Sequence, residues 1–249
     1  MSLQRYRIEK PEHGSQDWLN IRFRDEQGNK RVSASAVAAI YDLHPFVPRD
    51  TYAAELLSDV APVPIPPNPA MERGNRLEPF VLEWAADKLG IYFDTPEEMF
   101  VVNTDGGARM VSTLDGFHED GDIRKVLEIK TTTRPWEGQL PDYWRIQGVQ
   151  QAICADVDEV TWAVFDPSLS LHLHVQPVPD AEKQEHIKAV ELWLNAIDMD
   201  MTPAGVKWSY ETINRRYAKP EARTVELPSD TTELVARLKH VKAELKSYQ

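Results

Sequence analysis

Between Val111 and Lys130 the chain sets two carboxylates and an ammonium at a spacing that could hold a divalent metal over a phosphodiester. The run Val111-Ser-Thr-Leu-Asp-Gly-Phe117 carries Asp115, and Leu127-Glu-Ile-Lys130 follows it. Side chains on a β-strand alternate faces, so Leu127 and Ile129 would enter a core while Glu128 and Lys130 share the opposite face. Asp115 supplies a second carboxylate if its strand runs alongside. Mg²⁺ takes oxygen ligands and keeps several waters, which leaves room for phosphate and nucleophile. Lys130 could orient or deprotonate a metal-bound water, or offset charge building on the phosphate. Glu-x-Lys alone is a common tripeptide, and a surface ion pair is its plainer reading.

Two further segments change the odds. Arg73-Gly-Asn-Arg-Leu-Glu-Pro79 opens a helical pattern in which Leu77, Phe80, Val81, Trp84 and Ala85 mark a buried face. Glu78 then falls in the first turn, where the helix dipole favours a carboxylate. Complementing that dipole would be its plainer role. Pro141-Asp-Tyr-Trp-Arg-Ile-Gln147 and Val149-Gln-Gln-Ala-Ile-Cys154 form a second helical stripe through Tyr143, Ile146, Gln150 and Ile153, with Gln147 beside it. Gln147 could hold a water or a phosphate oxygen, or could be a solvated helix residue.

The order Arg-Gly-x-x-x-Glu-Pro, Thr-x-Asp-Gly, Glu-Ile-Lys, Pro-x-Tyr and a helical Gln resembles the YqaJ-like viral recombinases. These are relatives of the phage lambda exonuclease within the PD-(D/E)xK nuclease superfamily. The resemblance runs from Gln16 to Met201 and keeps four motifs in the family's order. It implies that Glu78, Asp115 and Glu128, with the backbone carbonyl of Ile129, hold Mg²⁺, for which Mn²⁺ can substitute. It also implies that Lys130 is the catalytic lysine and Gln147 the active-site glutamine. Trp18-Leu-Asn-Ile-Arg22 and Val32-Ser-Ala-Ser35 resemble the family's 5′-phosphate pocket, with Arg22, Ser35 and Thr113 as its candidates. A polar, hairpin-like insertion over 24–31 separates Arg22 from the serines. Val149 stands where the family often carries a second glutamine.

The resemblance implies a restriction-endonuclease-like α/β (α+β) core: a central mixed β-sheet flanked by helices over 1–201, with a helical extension over 202–249. The expected activity is 5′-to-3′ exonucleolytic resection of linear double-stranded DNA for recombination by single-strand annealing. The expected partners are DNA ends, an annealing protein and further copies of the chain, as in the ring-shaped trimer of lambda exonuclease. Two alternatives stay open: an endonuclease of the same superfamily, and a catalytically silent DNA-end-binding recombination mediator.

Composition is compatible with a soluble enzyme. The chain has 249 residues, 42% of them apolar, and a net charge of −12. That charge opposes broad DNA coating, so a confined, salt-sensitive DNA channel is expected. No apolar run approaches membrane-spanning length, and Met1-Ser-Leu-Gln-Arg-Tyr-Arg lacks a signal-peptide hydrophobic region. One cysteine, Cys154, rules out an intrachain disulfide framework or a cysteine-rich zinc site. The expected location is the cytoplasm of a bacterial host, with a phage or prophage origin.

The elements that must position these groups are legible in outline. Helices are expected over 16–22, 33–41, 51–60, 180–198 and 233–248, and the proline run 61–69 reads as a stiff connector. Strands are expected over 100–102, 108–113, 126–131, 160–165 and 169–175, with turns at Asp105-Gly-Gly and Asp166-Pro-Ser168. In the last strand Leu169, Leu171, Leu173 and Val175 share one face, and His172 and His174 the wet one. Met201–Arg223 reads as irregular, with Trp208, Tyr210, Tyr217 and Arg215-Arg216 packing the tail or stacking on nucleic acid. Ser229 or Asp230 should cap the final helix, whose seam is Leu234, Leu238, Val241 and Leu245.

Overall fold

The alternation Val126–Thr131 forms the C-terminal two-thirds of a longer strand, β6 (Ile123–Thr131), and the rest of the fold is arranged around it. The computed structural model describes residues 2–58, 62–216 and 229–247, in two units, Met1–Ile213 and Asn214–Gln249. The first unit contains the sheets. The mixed β-structure is divided in two, because the chain leaves β4 (Arg109–Ser112), crosses Thr113-Leu-Asp115 and re-enters as β5 (Gly116–Asp120).

Sheet one has the order β1-β3-β4-β2, with β1 (Leu3–Glu9), β2 (Val32–Ser33) and β3 (Glu98–Thr104); β2 is parallel to β4. Sheet two has the order β5-β6-β7-β8, with β7 (Glu159–Phe165) and β8 (Leu171–Pro177). Here β6 and β7 are parallel and the outer pairs antiparallel.

Helices fill three layers. α1 (Gln16–Phe23) packs Trp18 against Met99, Val101 and Val111 on the outer face of sheet one. α3 (Pro69–Leu89) packs Val81 and Ala85 against Leu127, Ile129 and Ala163 on the outer face of sheet two. α4 (Asp142–Ala155) lies in the main core between the sheets, with α5 (Asp180–Asp198) and α2 (Arg49–Leu57) beside it. Every residue of α4 from Gly148 to Ala155 is buried, so its expected single stripe is replaced by burial all round. Cys154 is among them, and burial pushes its thiol pKa up.

Several expectations are corrected. The 33–41 segment is not one helix: Val32–Ser33 pairs with β4, and only Val37–Tyr41 coils, as a 3₁₀ helix. α3 starts at Pro69, because Asn68 Oδ1 accepts the Ala70 and Met71 amides and proline suits the first helical position. Glu78 is therefore mid-helix, and the dipole reading lapses. Phe80 is half exposed rather than core. In β8 the apolar alternation breaks: Val175 is exposed and Gln176 buried, because Gln176 Oε1 accepts the Trp162 indole N–H at 3.0 Å. Leu169 lies in the turn with φ +60. The tail contains a short helix, α6 (Tyr210–Arg216), after Trp208, which packs against the core and donates to Thr202 Oγ1. Tyr217, Tyr248 and 217–223 lie outside the described residues. α7 (Ser229–Ser247) forms, with Leu234, Leu238 and Val241 exposed. Among the described residues, no helix is long and apolar enough to cross a membrane.

Candidate active site

Glu128 is the centre of the site. Its backbone is paired with Trp162 of β7, and its side chain turns from the α3 layer toward α4. It is only 3% exposed. A buried carboxylate must be neutralised or hydrogen-bonded, and Glu128 has three partners. Lys130 Nζ lies 2.5 Å from Oε1, and Gln147 Nε2 donates to the same oxygen at 2.5 Å. Gln151 Nε2 donates to Oε2. Gln147 and Gln151 are one helical turn apart on α4, so they present amides to the same strand residue. Below them Trp136, Trp144 and Trp162 stack at 5.9 and 5.8 Å, and Lys130 Nζ sits 5.8 Å from the Trp162 ring centre.

Asp115 does run alongside. Gly116 pairs with Leu127, which sets Asp115 opposite Glu128, and its Oδ2 accepts the Ile129 amide at 2.8 Å. The glycine of this motif has a steric reason. A Cβ on Gly116 would fall 2.8 Å from Leu82 Cδ1 and 3.1 Å from Leu127 Cβ, so only glycine lets α3, β5 and β6 approach this closely. Glu78 reaches the site from α3, one turn beyond Gly74, which faces Thr131.

The charges interact. Burial, and then the Glu128 charge, push the Asp115 pKa well above the usual carboxylate value. Burial and Glu128 raise Glu78 as well, with Lys10 and Lys130 opposing. Burial alone would depress the Lys130 ammonium, but Glu128 and Asp115 outweigh it and hold its pKa above the ordinary lysine value.

Among the described residues, no three Asp, Glu, His or Cys side chains converge tightly enough to enclose an ion. The donor chemistry nonetheless fits a hard divalent cation. Glu78, Asp115 and Glu128 are all oxygen donors, and two of them are destabilised as anions by burial and by a neighbouring carboxylate, which a cation would relieve. Of Ile129, it is the amide, through Asp115, that the structure ties to the site.

A second group of donors lies on α1 and β2. Arg22 Nη2 donates to Ser33 Oγ at 3.0 Å and to Ser35 Oγ, and its guanidinium stacks 3.9 Å from the Trp18 ring centre. Burial lowers Arg22 to about 10. His13, beside Trp18, is lowered by burial and by Arg22 and Lys10. The 24–31 insertion is a hairpin, bridged at Arg24 and Lys30, so it leaves Arg22 and the serines adjacent. Thr113 follows Val111, the β4 partner of Ser33. Its carbonyl, rather than its hydroxyl, is engaged, by Gln151 Nε2 at 3.4 Å.

Sequence reasoning missed Ser33 and Gln151. Ser33 shares its segment and chemistry with Ser35; Ser33 ends β2, Ser35 lies in the turn that follows, and Arg22 Nη2 donates to both hydroxyls. Gln151 is one turn from Gln147, which is a signal, but Gln150 beside it is identical in type. Gln150 serves the scaffold: its amide donates to the Val32 and Val111 carbonyls, and its oxygen meets His186 Nε2 at 3.3 Å.

The YqaJ-like viral recombinase domain model matches residues 17–158, which include Arg22, Ser33, Ser35, Glu78, Thr113, Asp115, Glu128, Lys130, Gln147 and Gln151. A comparison with curated protein sequences finds no match. Among solved structures, the fold is similar to an alkaline exonuclease, LHK-Exo, from Laribacter hongkongensis. That likeness has 19% identity and a TM-score of 0.58, over 82% of this chain and 98% of that one. LHK-Exo in complex with dAMP gives a TM-score of 0.59 at the same identity and coverage. With the motifs in order and the acid–lysine–glutamine cluster assembled on this fold, the chain belongs to the YqaJ-like viral recombinase family.

Proposed function

We propose that this protein is a divalent-metal-dependent DNA exonuclease that digests linear duplex from 5′ ends and releases 5′-phosphates, for recombination by single-strand annealing. One observation carries the reading: a buried Glu128 that gathers Lys130 and Gln147, with Asp115 fixed across the strand. Glu78, Asp115, Glu128 and the Ile129 carbonyl would hold Mg²⁺, or Mn²⁺ in its place. When bound, the ion supplies Lewis-acid activation and charge neutralisation at the phosphate. Lys130, held as an ammonium, places positive charge where the phosphorane develops, and Gln147 can orient the attacking water. Arg22, Ser33 and Ser35, with Thr113 at the same level of the sheet, offer donors to a terminal 5′-phosphate. A ring-shaped trimer and an annealing protein as partner belong to the same proposal, as does work in the cytoplasm of a bacterial host.

The test is digestion of 5′-phosphorylated linear duplex beside a covalently closed circle of the same sequence, with Mg²⁺ and with EDTA. Loss of the linear DNA alone, abolished by EDTA, is expected. A nicked circle would show an endonuclease, and no digestion of either would favour a catalytically silent mediator or a nuclease that needs a partner. Glu128→Ala and Lys130→Ala should each abolish digestion while the chain stays folded.

A further inference from the structure

Gln151 is fully buried, and its amide is only half used. The nitrogen donates to Glu128 Oε2 and to the Thr113 carbonyl, while the oxygen has no hydrogen-bond partner. A buried amide left half satisfied costs more than an apolar side chain of the same shape. Space filling would therefore be better served by methionine or leucine, and the donor half must carry the benefit. What that half touches is specific. One hydrogen bond fixes the carboxylate oxygen that neither Lys130 nor Gln147 reaches. The other, longer at 3.4 Å, reaches the carbonyl of Thr113, where the Thr113-Leu-Asp115 crossing between the two sheets begins.

We infer that Gln151 is a positioning residue: it sets the rotamer of Glu128 and locks it to the crossing that delivers Asp115, so that the two carboxylates meet a cation in register. This rests on the metal-nuclease reading above. Lys130 and Gln147 share one oxygen of Glu128, so without Gln151 the carboxylate keeps a hinge about that oxygen. Outer partners that orient ligand carboxylates are typically worth about 10–100-fold in metal affinity.

The experiment is calorimetric titration of the DNA-free protein with Mn²⁺, for the native chain, Gln151→Met and Gln151→Glu, alongside linear-duplex digestion across Mg²⁺ concentrations. Gln151→Met should weaken Mn²⁺ binding about 10-fold or more. It should also move half-maximal digestion to higher Mg²⁺ and recover most of the native rate at saturation, with little change in KM for DNA. Gln151→Glu, which sets a carboxylate against Glu128, should lose more, and it also serves if Gln151→Met does not fold. Native Mn²⁺ affinity in both variants would overturn the positioning role while leaving the nuclease reading intact. So would a rate loss that saturating Mg²⁺ does not restore. A native chain that neither binds Mn²⁺ nor digests DNA would overturn both.

Discussion

The Asp115 carboxylate accepts the Ile129 amide at 2.8 Å and is thereby fixed to the residue between Glu128 and Lys130. One hydrogen bond thus locks the acid of the inter-sheet crossing to the strand that carries the other acid and the lysine. Asp115→Asn keeps an oxygen that can accept the same amide, so the fold should survive. Digestion of linear duplex should nonetheless fall by more than about 100-fold, since a ligand is lost rather than an outer partner. Initial rates beside a circular-dichroism melt check this, and near-native cleavage would remove Asp115 from the machinery.

The raised pKa values of Asp115 and Glu78 imply a definite pH dependence. Both carboxyls bind protons more readily in the folded chain than in the unfolded one. In the metal-free protein their contribution therefore falls as pH rises from about 4, the unfolded value, through the raised folded values, and stays lost above them. Asp166 and Asp158 are depressed and work in the opposite sense, so the native profile alone is ambiguous. The Tm difference between Asp115→Asn and the native chain in EDTA isolates the site. It should move in the variant's favour from pH 4 to pH 8, and a flat difference would contradict the burial of that charge.

Gly116→Ala should be disproportionately costly. The added methyl meets Leu82 of α3, Leu127 of β6 and Phe93 of the loop after α3 within 3.3 Å, so the Leu82 side chain must turn away and the Leu127 and Phe93 positions must give by a few tenths of an ångström. Overpacking of this kind costs about 1–3 kcal/mol, and the shift occurs next to Asp115. Urea denaturation and the digestion rate should both register it. Gly121→Ala, at a hairpin turn where a Cβ would meet nothing within 4 Å but φ is +60, provides a comparison that should lose stability and retain activity.

Arg22→Ala should remove the preference for 5′-phosphorylated over dephosphorylated ends, by about 10-fold or more if the pair is charge-assisted. Arg22→Lys keeps the charge but cannot hold Ser33 and Ser35 with a fork, so it should restore only part of that preference. An unchanged ratio of the two rates in Arg22→Ala would separate Arg22 from end recognition.

How much of this was readable depended on how local each signal is. α5 was legible to the residue at both ends, because Ile187, Val190, Leu194 and Ile197 recur at helical spacing and all are buried. The opposed faces of Leu127 and Glu128 followed from strand geometry. β1 and β5 were missed because Leu3–Glu9 and Gly116–Asp120 carry charged residues on edge strands, where Arg7 pairs with Glu98 and Glu119. The start of α3 was hidden in a proline run whose last members, Asn68 and Pro69, are a cap and a first-turn residue. Gln151 could not be separated from Gln150, since only the two flanking sheets distinguish the faces of α4.

The tryptophan stack beneath Glu128 has a mechanical consequence. Trp136, Trp144 and Trp162 tie the loop after β6, helix α4 and strand β7 into one block, so Glu128, Lys130 and Gln147 rest on a stiff jaw. Glu78 is carried by the opposing jaw, α3, where Pro79 cannot donate to the Asn75 carbonyl and breaks the helix ladder beside that acid. Were an ion to bind, any closing adjustment about it would therefore cost least on the α3 side. The site is built like a vice, with one fixed plate and one that yields.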